Sequence, residues 1–246
     1  MDRILEARGL TKSFGEKEAV RGVDLDVARG SVHAFLGPNG AGKSTTILML
    51  MGILRPTAGT ARIDGLDCFA DRVEVKRRVG YLPDEPQFYD YLSGRELIGF
   101  VGGMHGLSKE ETWRRAEPIL EGFRIADQLD EFAVNYSHGT KKKLAFAFAL
   151  LHEPDLLILD EPTNGLDPHT TRIAQDIVRD FAARGGSVFF STHLLDQAEK
   201  LCDRVDIVAQ GRIVATGTIR EVKDSLAPGG TLEDVFFAVT QAADEA

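Results

Sequence analysis

Residues 37–44, Gly37-Pro38-Asn39-Gly40-Ala41-Gly42-Lys43-Ser44, fit the pattern G-x-x-x-x-G-K-[ST]. Glycines at that spacing let the backbone curl until successive N–H groups point into one concavity. The amine of Lys43 can then reach the β- and γ-phosphates of a nucleoside triphosphate, and the hydroxyl of Ser44 can ligate Mg2+. At ordinary glycine usage the constrained positions coincide by accident in on the order of one chain in a hundred. A second chemical feature lies far downstream, where Leu156-Leu157-Ile158-Leu159 runs into Asp160-Glu161. Two acids after an apolar strand are as often a solvated turn. In a chain that also carries a phosphate loop, Asp160 is expected to hold the metal opposite Ser44, and Glu161 to orient or deprotonate a water.

These residues need a scaffold that brings strand ends together. Segments 4–10, 19–27 and 31–36 read as strands separated by turn residues, and the last leads directly into the glycine loop. A helix over 45–53 and a strand over 59–63 follow. From Ser93 to about residue 151 the pattern is helical, with Ser93 and Glu96 spaced as a capping box and Ser108 with Glu111 repeating it ahead of a helix over 113–122. Short apolar runs at 156–159 and 188–191 have the look of strands covered on both faces, with a helix over 169–183 between them. Two short strands fall in 204–214, and 231–239 reads as an amphipathic helix with Val235, Phe236 and Val239 on one face. The expected fold is α/β: a mostly parallel central sheet, an antiparallel region near the N-terminus and an inserted helical subdomain.

Composition narrows the class of function. The chain has 246 residues, 43% of them hydrophobic, and a formal net charge of −9. That acidity argues against a broad nucleic-acid footprint. Its longest apolar run, 144–151, falls far short of the roughly 20 residues that span a bilayer, so no direct membrane span is expected. Cys68 and Cys202 stand apart with no metal-ligand spacing, which favours a reducing compartment.

Taken together the motifs resemble the nucleotide-binding domain of ABC-type ATPases over nearly the whole chain. Asn135-Tyr136-Ser137-His138-Gly139-Thr140-Lys141-Lys142 resembles the family signature written L-S-G-G-Q, with His138 in place of the first glycine and Thr140-Lys141 in place of the residues that end it. Standing alone, Lys141 to Lys143 would read as a solvated helix face. The resemblance implies a P-loop NTPase with core segments 1–83 and 151–215, a helical subdomain 84–150 and an extension 216–246. It implies that ATP and Mg2+ are bound by residues 37–45 including Thr45, by Phe14 stacking on adenine, and by Asp160. His193 resembles the switch histidine near the γ-phosphate. Ser137 and Gly139 would meet the ATP of a second subunit, and Asp167 would lie in the loop that crosses that interface. Asp84 stands where the family more often has a metal-touching Gln, and the resemblance implies it as a third metal-binding residue with Ser44 and Asp160.

The loop around Asp84, with Phe88-Tyr89-Asp90 and Gly94-Arg95-Glu96 after it, and the terminal Leu232-Glu233-Asp234-Val235-Phe236 resemble subunits paired with ABC-2-type export permeases. The implied partners are a second ATPase subunit, identical or paired, and an integral membrane permease. The implied location is cytoplasmic, peripheral to the cell membrane through that permease. A soluble ATPase of the same type acting on ribosomes or DNA is the alternative. The single set of motifs, the absence of sustained heptads and the acidic charge weigh against it.

Overall fold

A computed structural model of the chain describes residues 2–226 and 230–244. Strands β1 (Arg3–Phe14) and β2 (Lys17–Ala28) form an antiparallel ribbon, and β3 (Val32–Leu36) leads into the glycine loop and helix α1 (Lys43–Leu50). After β4 (Ala58–Ile63) and the short β5 (Leu66–Asp67), α2 (Arg72–Arg78) returns the chain to β6 (Val79–Leu82). The inserted helices α3 (Gly94–Met104), α4 (Lys109–Gly122) and α5 (His138–Leu150) come next. The chain then alternates β7 (Leu156–Asp160), α6 (Pro168–Ala183), β8 (Ser187–Thr192), α7 (Leu195–Leu201) and β9 (Arg204–Ala209). It finishes with β10 (Arg212–Thr218), α8 (Ile219–Leu226) and α9 (Leu232–Asp244).

Two sheets result. One is antiparallel in the order β2-β1-β4-β5; the other runs β10-β9-β3-β8-β7-β6 and is parallel except at β10. Every residue of β3, β7 and β8 is buried, as parallel strands covered on both faces must be. Their side chains alternate between two cores. Leu36, Leu157 and Leu159 face the helical side, while Phe35, Leu156 and Ile158 face α1 and the antiparallel sheet. Each such side chain contributes about 1.5–3 kcal/mol by leaving water. Register does the rest: Leu36 pairs with Thr192, and Asp160 with Ser191. The carboxyl ends of β3, β8 and β7 therefore lie side by side, which is where open α/β sheets bind ligands.

Capping follows the sequence closely. Ser93 and Glu96 form the reciprocal box, and Ser108 accepts the Glu111 N–H, so α4 begins at Lys109 rather than at 113. The loop around Asp84 begins only after Leu82, the last residue of β6. Leu232 and Val235 anchor α9 in the helical-side core, with Phe236 and Val239 packed against it. No helix among the described residues is long and apolar enough to cross a membrane.

The helical insertion carries a stacked histidine pair, His105 after α3 and His152 after α5, with ring centroids 3.9 Å apart. Burial, then the neighbouring His105, pushes His152 down from 6.5 to about 4. Folded His152 thus stays neutral where the unfolded chain already takes up a proton. Its stabilisation is present above 6.5 and is lost as the pH falls toward about 4. The melting temperature is expected to drop over that window, and His152→Gln to flatten the drop in a thermal-melt pH series. An unchanged slope in the variant would contradict the assignment.

Candidate nucleotide site

The loop 37–44 is shaped by close approach and by left-handed backbone. Gly40 and Gly42 adopt φ of 81° and 99°, and a Cβ on Gly42 would meet Ala19 O at 2.5 Å. Gly37 N donates to Thr192 O at 3.1 Å, tying the loop to the tip of β8. Pro38, Asn39 and Gly40 are exposed, while Lys43 at the start of α1 is buried. Its Nζ donates to Gly37 O at 2.8 Å and Pro38 O at 3.1 Å, and lies 3.1 Å from Glu161 Oε1.

Glu161 follows β7 with φ of 44°, an uncommon conformation for a residue with a side chain. Ser191 Oγ, paired with β7 by register, accepts the Glu161 N–H at 3.0 Å and donates to Asp160 Oδ1. The Glu161 carboxylate is held on its other side by His193 Nδ1, 2.9 Å from Oε2. It is thus clasped between a lysine at the start of α1, just past the loop that leaves β3, and a histidine just past the tip of β8. Burial raises the pKa of Asp160, the Ser191 and Ser44 hydroxyls lower it, and the nearby Asp84 and Glu161 raise it further.

This donor set fits a triphosphate with a magnesium ion. No cluster of three His, Cys, Asp or Glu among the described residues could cage a metal alone. Mg2+ takes one or two protein ligands and fills its shell with phosphate and water. The Ser44 hydroxyl, close enough to Asp160 to lower its pKa, offers that kind of half-built site. A cleft of about 320 Å³ is lined by Phe14, Lys17, Ala19, the glycine loop, Asp84 and Glu161. Phe14 is half exposed at its rim, with Lys12 Nζ 5.2 Å from the ring centroid, so its other face is open to a base. A roomier groove of about 660 Å³ between α4 and α6 has no such backbone nest.

The signature segment lies outside that cleft. Ser137 caps α5, accepting the Thr140 N–H at 3.1 Å, and is exposed. Tyr136 before it is anchored: Gly94 N donates to its Oη at 3.1 Å, and Oη donates to Gln128 O at 2.8 Å. Gly139 faces Gly165, where an added Cβ would lie 3.6 Å from Gly165 O. Asp167 caps α6 through the Thr170 N–H at 2.9 Å and hydroxyl at 2.6 Å, which holds its pKa down to about 2. The structure brings Phe14, the loop, Asp84 and Glu161 around one cleft, with Asp160 and His193 in contact with that cluster. Ser137, Gly139 and Asp167 lie outside it.

Sequence reasoning missed three contributors. Ser191 was only a strand end. Asn164 lies in the loop after β7, and its Nδ2 donates to Asp84 Oδ1 at 3.0 Å. Lys142, one of three lysines that standing alone would read as a solvated face, is fully buried, with Nζ 2.7 Å from Asp84 O and 3.2 Å from Asp84 Oδ1. A signal was present: Lys142 shares its helical stripe with the buried Ala145, Phe146 and Ala149.

Comparison with known proteins agrees with this geometry. The family model described as ABC transporter matches residues 20–164. The chain is 41% identical to the daunorubicin/doxorubicin resistance ATP-binding protein DrrA of Streptomyces peucetius, over 91% of this chain and 68% of that one. It is 34% identical to the linearmycin resistance ATP-binding protein LnrL of Bacillus subtilis (strain 168), over 87% of this chain and 69% of that one. A solved ATP-binding subunit of an ABC transporter superposes with a TM-score of 0.90 at 33% identity, covering 96% of this chain and 99% of that one.

Proposed function

The chain belongs to the ABC transporter family, and from that premise we propose how its site turns over ATP and what the turnover drives. It is the ATP-binding, ATP-hydrolysing subunit of such a transporter. In our reading, residues 37–45 seat the triphosphate, Lys43 holds the β- and γ-oxygens, and Phe14 stacks on the base. Ser44 and Asp160 hold Mg2+, which when bound neutralises charge developing on the phosphates. Glu161 takes or orients the proton of the attacking water, and His193 steadies its carboxylate. One observation carries this reading: the Glu161 carboxylate is clasped between Lys43, at the start of α1, and His193, at the tip of β8.

The same premise extends to assembly. Segments 1–83 and 151–215 are read as the P-loop core, 84–150 as the helical subdomain and 216–246 as an extension. A second copy or a paired subunit would offer Ser137 and Gly139 to the γ-phosphate, with Asp167 at the shared interface. ATP then binds the closed pair better than the open one, and hydrolysis releases it. The driven partner is an integral membrane permease of the ABC-2 type, with the ATPase on its cytoplasmic face. Exposed Tyr89, Tyr91, Phe100 and Met104 lie in and beside α3, with the Tyr89 and Phe100 rings 5.8 Å apart, and offer apolar surface suited to such a partner. Export is favoured because relatives are named for drug resistance.

Affinity purification of the tagged chain from membranes tests this assembly. An integral membrane protein should copurify in near-equal amount and raise ATP turnover. Recovery with ribosomes or DNA instead would favour the soluble alternative.

A further inference from the structure

A lysine fully shielded from water costs several kcal/mol unless its ammonium is well partnered. Lys142 has no exposed side-chain surface, and its partners are both on Asp84, the backbone carbonyl and the carboxylate. Asn164 Nδ2 donates to the same Oδ1 from the loop after β7. A further contact joins the same pieces. Gly165, with φ of 75°, lies so close under the His138 ring that a Cβ there would collide with it. The first turns of α5 are thus bound to two loops, one after β6 and one after β7.

The charges divide in the same way. Two carboxylates, Asp84 and Glu161, both act on Asp160, and each has a buried lysine beside it. Lys43 is matched to Glu161 and Lys142 to Asp84. Asp160 is left for the metal. We propose, resting on the nucleotide-site reading above, that Lys142 is a positioning residue: it clamps Asp84 out of the metal's coordination shell and locks the two loops to α5. A displacement of Ser137 at the head of α5 then carries the 83–90 segment with it, up to the exposed Tyr89.

The test uses the whole chain and two readouts other than turnover. Amide hydrogen exchange of 83–90 and 161–167 is measured without nucleotide, and Mn2+ affinity is measured by EPR with ADP present. Lys142→Met should speed exchange in both segments about tenfold, and Lys142→Arg should restore it. The freed carboxylate should tighten Mn2+ several-fold in Lys142→Met, whereas Asp84→Asn in the parent should leave Mn2+ affinity within about twofold. Unchanged exchange in Lys142→Met overturns the clamp. A loss of about tenfold or more in Mn2+ affinity with Asp84→Asn also overturns it, because Asp84 would then be a ligand. If Lys142→Met does not fold, the Asp84→Asn measurement still decides. Failure of the parent to bind Mn2+ with ADP would instead count against the nucleotide-site reading, while the exchange data still judge the clamp.

Discussion

Lys43→Ala should weaken ATP binding by roughly 100-fold or more, about 3 kcal/mol, when titrated by calorimetry with magnesium present. The magnitude follows from what the amine does. It lies at the mouth of the nest, donating to two loop carbonyls and facing Glu161. A triphosphate would take over those donors, and each hydrogen bond between charged partners is worth about 1.5–3 kcal/mol. Alanine removes these bonds and leaves the Glu161 carboxylate without its cation. The loop itself should persist, since its shape rests on Gly37, Gly42 and the bond to Thr192 O. Retained affinity in a folded Lys43→Ala protein would mean that the triphosphate sits elsewhere.

Glu161→Gln should lower steady phosphate release about 100- to 10,000-fold while ATP affinity holds or tightens. Gln keeps the length of the side chain and can still bond His193, but it cannot accept a proton from water. Removing one negative charge also relieves Asp160, whose pKa Glu161 raises. Binding and turnover should therefore separate in this variant and fall together in Lys43→Ala. Sedimentation of Glu161→Gln with ATP should report a two-chain species that persists, because the bridging γ-phosphate is not removed. Turnover near the parent rate would end the assignment of Glu161 as base.

Much of this site could be read before any coordinates, and the reasons are local. Residues 37–44 carry their own geometry, because only glycine reaches the backbone that Gly40 and Gly42 adopt. The run into Asp160 declares a buried strand with a charged tip, and Ser93, Ser108 and Asp167 all cap the helices that follow them. What was not legible depends on contacts between distant segments. Lys142 looks solvated until α5 is docked on the sheet and its stripe faces inward. Asp84 was read as a metal candidate, but its bonds to Lys142 and Asn164 join residues 58 and 80 positions away. The short helices α2 and α7 also escaped notice. In α2 the sequence Arg72-Val73-Glu74-Val75 alternates like a strand, and only packing onto β5 and β6 makes it helical. The left-handed backbone of Glu161 has no sequence signal, since glutamate seldom adopts it.

The most direct measurement is a rapid-quench single turnover, with protein in excess over radiolabelled ATP and bound and cleaved nucleotide counted in the same sample. The parent chain should bind and cleave, Glu161→Gln should bind without cleaving, and Lys43→Ala should do neither. Cleavage by Glu161→Gln at the parent rate, from nucleotide bound just as tightly, would contradict the reaction at the junction of these three strand tips.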